Sequence, residues 1–82
     1  MAKITIYSTP TCPYCKMAKD YLSDKNIKYT DVDVAADEVK AHEMIHKSGQ
    51  MGVPVIAVEK NGKEDIIVGF DRQSLVRLLG IS

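Results

Sequence analysis

Two cysteines separated by two residues are the side chains in this sequence whose types and spacing best suit chemistry. They lie in the run Thr11-Cys12-Pro13-Tyr14-Cys15-Lys16. Three residues of helix bring the first and last side chains of such a motif to one side of the turn, so the two sulfurs can form a disulfide with little backbone movement. The spacing predicts a redox-active dithiol in a thiol–disulfide oxidoreductase.

The two cysteines are expected to have unequal roles. Cys12 is placed at or just before the first turn of a helix, where unpaired backbone N–H groups and the positive end of the helix dipole stabilise a thiolate. Thr11, Pro13 and Lys16 surround this position and are predicted to support the thiolate. Cys12 is therefore the predicted nucleophile, and Cys15, inside the first turn, is the predicted resolving thiol.

Cysteine pairs also occur in metal sites and as buried, unreactive side chains. A structural zinc site takes about four ligands and usually a second cysteine pair, whereas this sequence has only two cysteines. Two inert cysteines do not suit a junction between a strand, a loop and a helix. A metal-binding or iron–sulfur module stays open as an alternative, and visible absorption bands of the protein as isolated would indicate it.

A second pattern, His42-Glu43-Met44-Ile45-His46, spells the zinc-protease motif H-E-x-x-H on a predicted helix. In those enzymes both histidines bind zinc and the glutamate acts as a base, but a catalytic zinc also needs a third protein ligand. No companion motif marks that ligand in this sequence. We interpret the pattern as an exposed helix face and predict no metal site.

Composition indicates one globular domain over residues 1–82. The apolar fraction of 45% is ordinary for a folded protein, and 11 basic residues balance 11 acidic ones. This balance gives no electrostatic reason to expect nucleic acid or an anionic membrane as a partner. No apolar run approaches the roughly 20 residues that span a bilayer, and the N-terminal residues lack a signal-peptide pattern. We therefore predict a cytoplasmic protein, and a monomer.

The elements that must position the cysteines follow from periodicity and turn residues. The pattern predicts strands at 3–8, 27–34, 53–59 and 64–68, helices at 13–25 and 36–48, and a last helix capped by Asp71. Asn61-Gly62 predicts a hairpin between the last two strands, and the first two strands, joined through a helix, should be parallel. The order β-α-β-α-β-β-α indicates an α/β fold with a four-stranded mixed sheet flanked by three helices.

On the first helix, side chains at helical spacing predict an apolar stripe that faces the sheet. Its members are Tyr14, Met17, Ala18, Tyr21 and Leu22. Pro13 suits the first position of this helix because its missing N–H costs nothing there. Gly49 is placed to end the second helix.

Three motifs occur in a characteristic order: Cys12-Pro13-Tyr14-Cys15, Val53-Pro54 and Gly69-Phe70-Asp71. Together they resemble the glutaredoxin family over essentially all of the chain. The first is similar to its dithiol signature, the second to the cis-proline position of the thioredoxin-like superfamily, and the third to the turn before the last glutaredoxin helix. The resemblance implies a thioredoxin-like fold of the glutaredoxin type.

The resemblance also implies glutathione as co-substrate, with protein disulfides and glutathione mixed disulfides as substrates. The residues implied to contact glutathione are Tyr14, Gln50, Val53, Pro54, Gly69, Phe70 and Asp71. The Val53 backbone, next to a cis Pro54, would pair with the cysteine moiety of the tripeptide. Asp71 and the first N–H groups of the last helix would hold its γ-glutamyl end, and Gln50 or Lys47 would reach its glycine carboxylate.

Three positions depart from the common glutaredoxin pattern. Thr9 stands where many members have a lysine, Gly52 where they often have a threonine, and Phe70 where a second glycine is common. The Gly-Phe pair is similar to redoxins that serve ribonucleotide reductase and are recycled by thioredoxin reductase, although those usually lack Pro-Tyr between the cysteines. A redoxin driven by thioredoxin reductase is therefore the alternative function.

Overall fold

Four strands and three helices follow one another along residues 3–80, the part of the chain that the computed structural model describes. The strands are β1 (Lys3–Ser8), β2 (Thr30–Asp33), β3 (Val55–Lys60) and β4 (Lys63–Val68), and the helices are α1 (Pro13–Asp24), α2 (Glu38–Ser48) and α3 (Arg72–Leu79). Within this range, no helix has the length and apolar character that crossing a membrane requires.

The strands form one mixed sheet in the order β2-β1-β3-β4. β1 and β2 are parallel and are joined through α1, whereas β3 pairs antiparallel with both β1 and β4. The β3–β4 turn is Asn61-Gly62, with φ of 55° and 79°, as expected for the tight hairpin turns that favour this dipeptide. The predicted four-stranded mixed sheet with three flanking helices is confirmed.

Apolar side chains form one core on each face of the sheet. α1 and α3 cover the face whose buried residues are Ile4, Ile6, Ala18, Leu22, Ile56, Val58, Ile67 and Leu75. α2 covers the other face, where Tyr7, Met44, Val55 and Ala57 are buried. Residues 55–58 of β3 are all buried, which is typical of a strand covered on both faces.

The pairing of β1 with β3 brings two distant segments of the chain together. Tyr7, near the end of β1, pairs with Val55, the first residue of β3. Because the strands are antiparallel, the segment that precedes Val55 lies beside the segment that follows Ser8. The Val53-Pro54 dipeptide is thereby placed next to the loop that leads to Cys12.

The predicted boundaries of β2 and α2 are wrong by a few residues. β2 covers Thr30–Asp33 instead of 27–34, because residues after α1 are used to end that helix: the Ile27 N–H donates to the Leu22 carbonyl at 2.9 Å. Ile27 still packs against the core as a loop residue. α2 begins at Glu38 because Asp37 is its N-cap, accepting from the Lys40 N–H.

The predicted apolar stripe on α1 is also partly wrong. Tyr14 and Met17 are 61% and 48% exposed, and the buried side chains are Cys15, Ala18 and Leu22. These three positions have the spacing i, i+3 and i+7, which defines a face rotated by about one residue from the predicted one. The rotation directs Cys15 into the core and leaves Tyr14 on the surface.

Candidate active site

The loop from β1 to α1 places Cys12 at the start of the helix. Cys12 is the N-cap residue, with extended backbone (φ −97°, ψ 111°), and Pro13 occupies the first helical position. The Cys12 N–H donates to the Thr9 carbonyl at 3.4 Å, which closes the loop. Thr11 and Pro13 are exposed on either side of Cys12.

The sulfur of Cys12 makes two polar contacts. It accepts a hydrogen bond from the Cys15 N–H at 3.2 Å, so a first-turn N–H group points at it. Its own S–H donates to the Val53 carbonyl at 3.7 Å, across 41 residues of sequence. Both cysteines are free thiols, and Cys12 is partly exposed. The helix start thus supplies the donor expected to stabilise a thiolate.

The thiol of Cys15 is in a different environment. It is fully buried, and its pKa is raised from 9.0 to about 11, first by burial and then by a hydrogen bond with Cys12. A backbone hydrogen bond with Thr9 and the charge of Lys19 act in the opposite direction. Cys15 is therefore protonated at neutral pH, whereas the partly exposed Cys12 carries the sulfur that a substrate can reach.

The two lysines of α1 nearest the dithiol have different partners. Lys16, predicted to support the thiolate, is on the surface with its Nζ 3.0 Å from the Asp20 carboxylate. The Lys19 Nζ is 3.1 Å from the Asp31 carboxylate, which accepts from the buried Ser8 hydroxyl at 2.7 Å. The sequence did not predict this cluster of Ser8, Lys19 and Asp31. The feature that could have indicated it is the serine at the inward-facing position that ends β1.

The segment before β3 faces the dithiol from the opposite side. The Val53–Pro54 peptide bond is cis, as the resemblance implied, and Pro54 is buried. The Gly69 N–H donates to the Pro54 carbonyl at 2.8 Å, and Gly69 has φ of 82°, a conformation that glycine adopts without strain. This bond holds the start of α3 next to the start of β3.

Asp71 is the N-cap of α3. Its carboxylate accepts from the Ser74 hydroxyl at 2.8 Å and from the Ser74 N–H at 3.2 Å. These bonds, the hydroxyl one first, lower the pKa of Asp71, so the exposed group is ionised at neutral pH. Its neighbour Phe70 packs edge-on against Tyr21, with ring centroids 5.9 Å apart, and is half-buried against the core.

The side chains of Gln50 and Lys47, the two candidates for reaching a glycine carboxylate, form hydrogen bonds within the protein. The amide of Gln50 bonds to the backbone of Gly52. The Nζ of Lys47 is 2.9 Å from Glu64 on β4, and this hydrogen bond is the main cause of a raised pKa of Lys47. Lys47 thus joins α2 to β4.

The H-E-x-x-H pattern lies on α2 with both histidines exposed. The His42 Nε2 is 3.9 Å from the Glu38 carboxylate, one turn earlier on the same helix. In residues 3–80, no three side chains of histidine, cysteine, aspartate or glutamate form a group that could hold a metal ion. The two histidines therefore lie on the solvent-exposed side of α2, whereas Met44 between them is buried in the core.

Comparison with known proteins agrees with this geometry. The family model described as Glutaredoxin matches residues 4–63. An uncharacterized glutaredoxin-like 8.6 kDa protein in a rubredoxin operon of Clostridium pasteurianum is 50% identical over 76 residues, covering 93% of this chain and 96% of that protein. Glutaredoxin 3 of Escherichia coli K12 is 39% identical over 59 residues, covering 72% of this chain and 71% of that protein.

A solved structure supports the fold in the same way. The crystal structure of a mutant of the thioredoxin-like protein BC3987 is 28% identical, has a TM-score of 0.84 and covers 100% of both chains. The thioredoxin-like fold expected from the three motifs is thereby confirmed.

Proposed function

This chain belongs to the glutaredoxin family, and we propose that it is a thiol–disulfide oxidoreductase that takes its electrons from glutathione. Its proposed substrates are protein disulfides and mixed disulfides between glutathione and proteins. The observation that carries the thiol–disulfide exchange is the asymmetry of the dithiol. Cys12 is partly exposed at a helix start, and Cys15 is buried behind it with a raised pKa.

In the first step, the Cys12 thiolate attacks one sulfur of a substrate disulfide, forms a mixed disulfide and expels the other substrate sulfur as a thiolate. Cys15 then loses its proton and attacks the Cys12 sulfur. The Cys12–Cys15 disulfide forms, the bond from Cys12 to the substrate breaks, and the substrate leaves as its second thiolate. The dithiol has then given two electrons to the substrate.

Glutathione restores the dithiol in two further exchanges. One glutathione thiolate attacks Cys12 in the Cys12–Cys15 disulfide, which gives a glutathione mixed disulfide on Cys12 and a free Cys15. A second glutathione thiolate attacks the glutathione sulfur of that mixed disulfide, and Cys12 is released as oxidised glutathione leaves. A glutathionylated protein needs only Cys12, because attack on the glutathione sulfur moves glutathione to Cys12 and frees the protein thiol.

Groups at the dithiol and at the start of α3 suit an extended tripeptide with a charged amino end. In the described part of the chain, no residue accepts a hydrogen bond from the Val53 N–H, so this donor is available to the cysteine moiety of an extended substrate. The exposed Asp71 carboxylate carries the negative charge that would attract a γ-glutamyl ammonium group. The ring of Tyr14, next to Cys15 and 61% exposed, supplies an apolar surface to flank the tripeptide.

A redoxin driven by thioredoxin reductase is the second candidate function. It is favoured by the loop that precedes Val53, because Gln50 closes this loop through hydrogen bonds to Gly52 and does not extend toward a ligand carboxylate. Thr9 also lacks the positive charge that a lysine would supply near an anionic substrate. The two functions share the dithiol chemistry and differ in the electron donor.

Two serine variants test the unequal roles of the cysteines. Cys12→Ser should abolish reduction of protein disulfides and of glutathionylated peptides, because no nucleophile remains. Cys15→Ser should lose the first activity and keep part of the second, because deglutathionylation needs only the exposed thiol. Equal loss of both activities in Cys15→Ser would contradict the assignment of Cys15 as the resolving thiol.

The electron donor is tested by supplying one reductant at a time. NADPH consumption is followed with glutathione and glutathione reductase, and separately with thioredoxin reductase, on the same glutathionylated peptide and the same peptide disulfide. The proposal predicts turnover of both substrates with glutathione. Turnover that occurs with thioredoxin reductase but not with glutathione and glutathione reductase would overturn the proposal in favour of the second candidate.

A further inference from the structure

The side chain of Gln50 closes the loop that connects α2 to Val53. Its Nε2 donates to the Gly52 carbonyl at 2.9 Å, and its Oε1 accepts from the Gly52 N–H at 2.6 Å. The same Nε2 is 3.3 Å from the Ser48 hydroxyl, which bonds in turn to the Met44 carbonyl of α2 at 2.7 Å. We call the two bonds between Gln50 and Gly52 the amide clamp.

Glycine at position 52 is what makes the amide clamp possible. A Cβ atom at this position would be 2.7 Å from the Oε1 of Gln50, well inside van der Waals contact. The obstacle is the end of a flexible side chain, so a residue larger than glycine would fit by displacing the Gln50 amide. The glycine found here in place of the common threonine is therefore matched to Gln50.

The amide clamp determines where the backbone of Val53 points. The Gly52 carbonyl and the Val53 N–H belong to one planar trans peptide unit, in which the two bonds point in opposite directions. Because the Gly52 carbonyl is held toward the Gln50 amide, the N–H of Val53 points away from that amide. The next carbonyl, that of Val53 itself, is the group 3.7 Å from the Cys12 sulfur.

We propose that Gln50 is a positioning residue for substrate binding at the dithiol. Through the amide clamp it holds the Val53 N–H in the direction that pairs with the extended chain of a glutathione mixed disulfide, so this inference rests on the proposed function. Gln50 acts through Val53 and makes no contact with the glycine carboxylate of the ligand. Without the clamp, the loop has to become ordered at the moment of binding, which weakens binding and leaves the chemistry at Cys12 unchanged.

The test compares two substrates that differ in the glycine carboxylate. One is a peptide that carries glutathione on its single cysteine, and the other is the same peptide carrying glutathione with an amidated C-terminus. For Gln50→Ala we expect KM to rise about tenfold for both substrates, with kcat within about twofold of the parent value. If KM rises only for the peptide that carries unmodified glutathione, Gln50 binds the glycine carboxylate directly. If KM is unchanged for both peptides, the clamp does not position the substrate. Either result overturns the inference.

Gly52→Ala removes the amide clamp by a change at the other residue of the pair. It should raise KM as much as Gln50→Ala, because the new Cβ displaces the Gln50 amide. The double variant should be no worse than either single variant, since both remove the same clamp. Additive effects, near a hundredfold in the double variant, would show that the two residues act separately and would contradict the inference.

Met51→Ala is the matched control within the same loop. Its side chain lies between the two clamp residues in sequence, is 78% exposed and makes none of the clamp hydrogen bonds. Its KM and kcat should equal those of the parent, and a change as large as that of Gln50→Ala would overturn the inference. Gln50→Glu, which keeps the acceptor and loses the donor to Gly52, should behave as Gln50→Ala does, and thermal unfolding of every variant verifies that it is folded.

Failure of the proposed function gives a different result. In that case the parent protein fails to turn over either glutathionylated peptide with glutathione, before any variant is considered. The variants are then compared on a peptide disulfide with thioredoxin reductase, where an extended substrate meets the same Val53 N–H. The expected rise in KM for Gln50→Ala is the same there, and its absence would refute the positioning role by itself.

Discussion

Raising the pH from about 6 to about 9 should accelerate the attack of Cys15 on a mixed disulfide at Cys12 by about tenfold per pH unit. The attacking species is the thiolate, and its fraction grows tenfold per unit while the pH stays below the pKa of the group. In the reduced dithiol the pKa of Cys15 is raised to about 11, first by burial, which does not depend on the state of Cys12, and then by Cys12, whose contributions are lost in the mixed disulfide. The acceleration should therefore continue through the whole accessible range and show no plateau near neutrality.

The magnitude follows from the shift of the pKa from 9.0 to about 11. Near pH 7, about one thiol in 10⁴ is ionised at the raised value, against about one in 10² at the ordinary value. A thiolate of higher pKa is also a better nucleophile, by roughly sixfold to tenfold over two units. The full shift corresponds to a resolving step about tenfold slower than that of an ordinary thiol in the same position, and burial alone, the part that the mixed disulfide keeps, gives a smaller slowing.

Rapid mixing followed by an acid quench measures this step. The reduced protein is mixed with a peptide disulfide, exchange is stopped by acid, and intact-protein mass spectrometry follows the decay of the peptide adduct on Cys12. Ultraviolet titration of Cys12→Ser, which has a single thiol, should give a midpoint above 9.0 for Cys15. A decay rate that levels off between about pH 7 and 8 would refute the reasoning, because it would require a resolving thiol with a far lower pKa.

Two lysine variants separate the electrostatic contributions to this pKa. The charge of Lys19 lowers the pKa of Cys15, so Lys19→Met should raise it further and slow the resolving step at neutral pH. Lys16→Met makes the same chemical change on the same helix, at a surface residue paired with Asp20, and should leave the step unchanged. Equal slowing in both variants would contradict the assignment of the effect to Lys19.

The raised pKa also makes the stability of the fold depend on pH. The folded state favours protonated Cys15, so its contribution is fully present below the ordinary pKa of 9.0 and is lost as the pH rises through about 11. The thermal midpoint should therefore fall over this alkaline range, and less so in Cys15→Ala. An equal fall in both proteins would assign the alkaline instability to other groups.

Three further predictions concern the scaffold and the histidine pattern. Leu75→Ala, at a fully buried position, should lower the free energy of unfolding by about 2–5 kcal/mol, whereas Val68→Ala, at a 53% exposed position, should change it by no more than about 0.5 kcal/mol in urea denaturation. Gly69→Ala should cost about 1–3 kcal/mol, because its φ of 82° strains any side chain, and a neutral result would contradict that strain. The double variant His42→Ala and His46→Ala, and treatment with a chelator, should both leave disulfide reductase activity intact; loss of activity in either case would indicate a functional metal.

The sequence by itself determined the order of elements and the proximity of Cys12 and Cys15. Strand alternation, the Asn61-Gly62 turn and the capping residue Asp71 are local signals, because each depends on neighbours within a few residues. The Cys-x-x-Cys spacing is local in the same sense, since a single helical turn sets the distance between its sulfurs. These features agree with the structure for that reason.

The tertiary structure decided which way the side chains of these elements face. The rotation of α1 that buries Cys15 and exposes Met17 depends on how the helix packs on the sheet, and apolar spacing fixes this only to within about one residue. The contact of Cys12 with Val53 spans 41 residues and exists because β1 pairs with β3. The shortened β2 likewise reflects competition for residues at the end of α1.

The roles of Gln50 and Gly52 show the same division most clearly. In the sequence, Gln50 is a polar residue near a predicted ligand, and Gly52 is a departure from a common threonine. In the folded chain the two are hydrogen-bonded partners, and the glycine leaves the space that the glutamine amide occupies. Residue types indicate which hydrogen bonds a loop can make, but only the path of the backbone, fixed by α2 and β3 at its two ends, selects the ones that form.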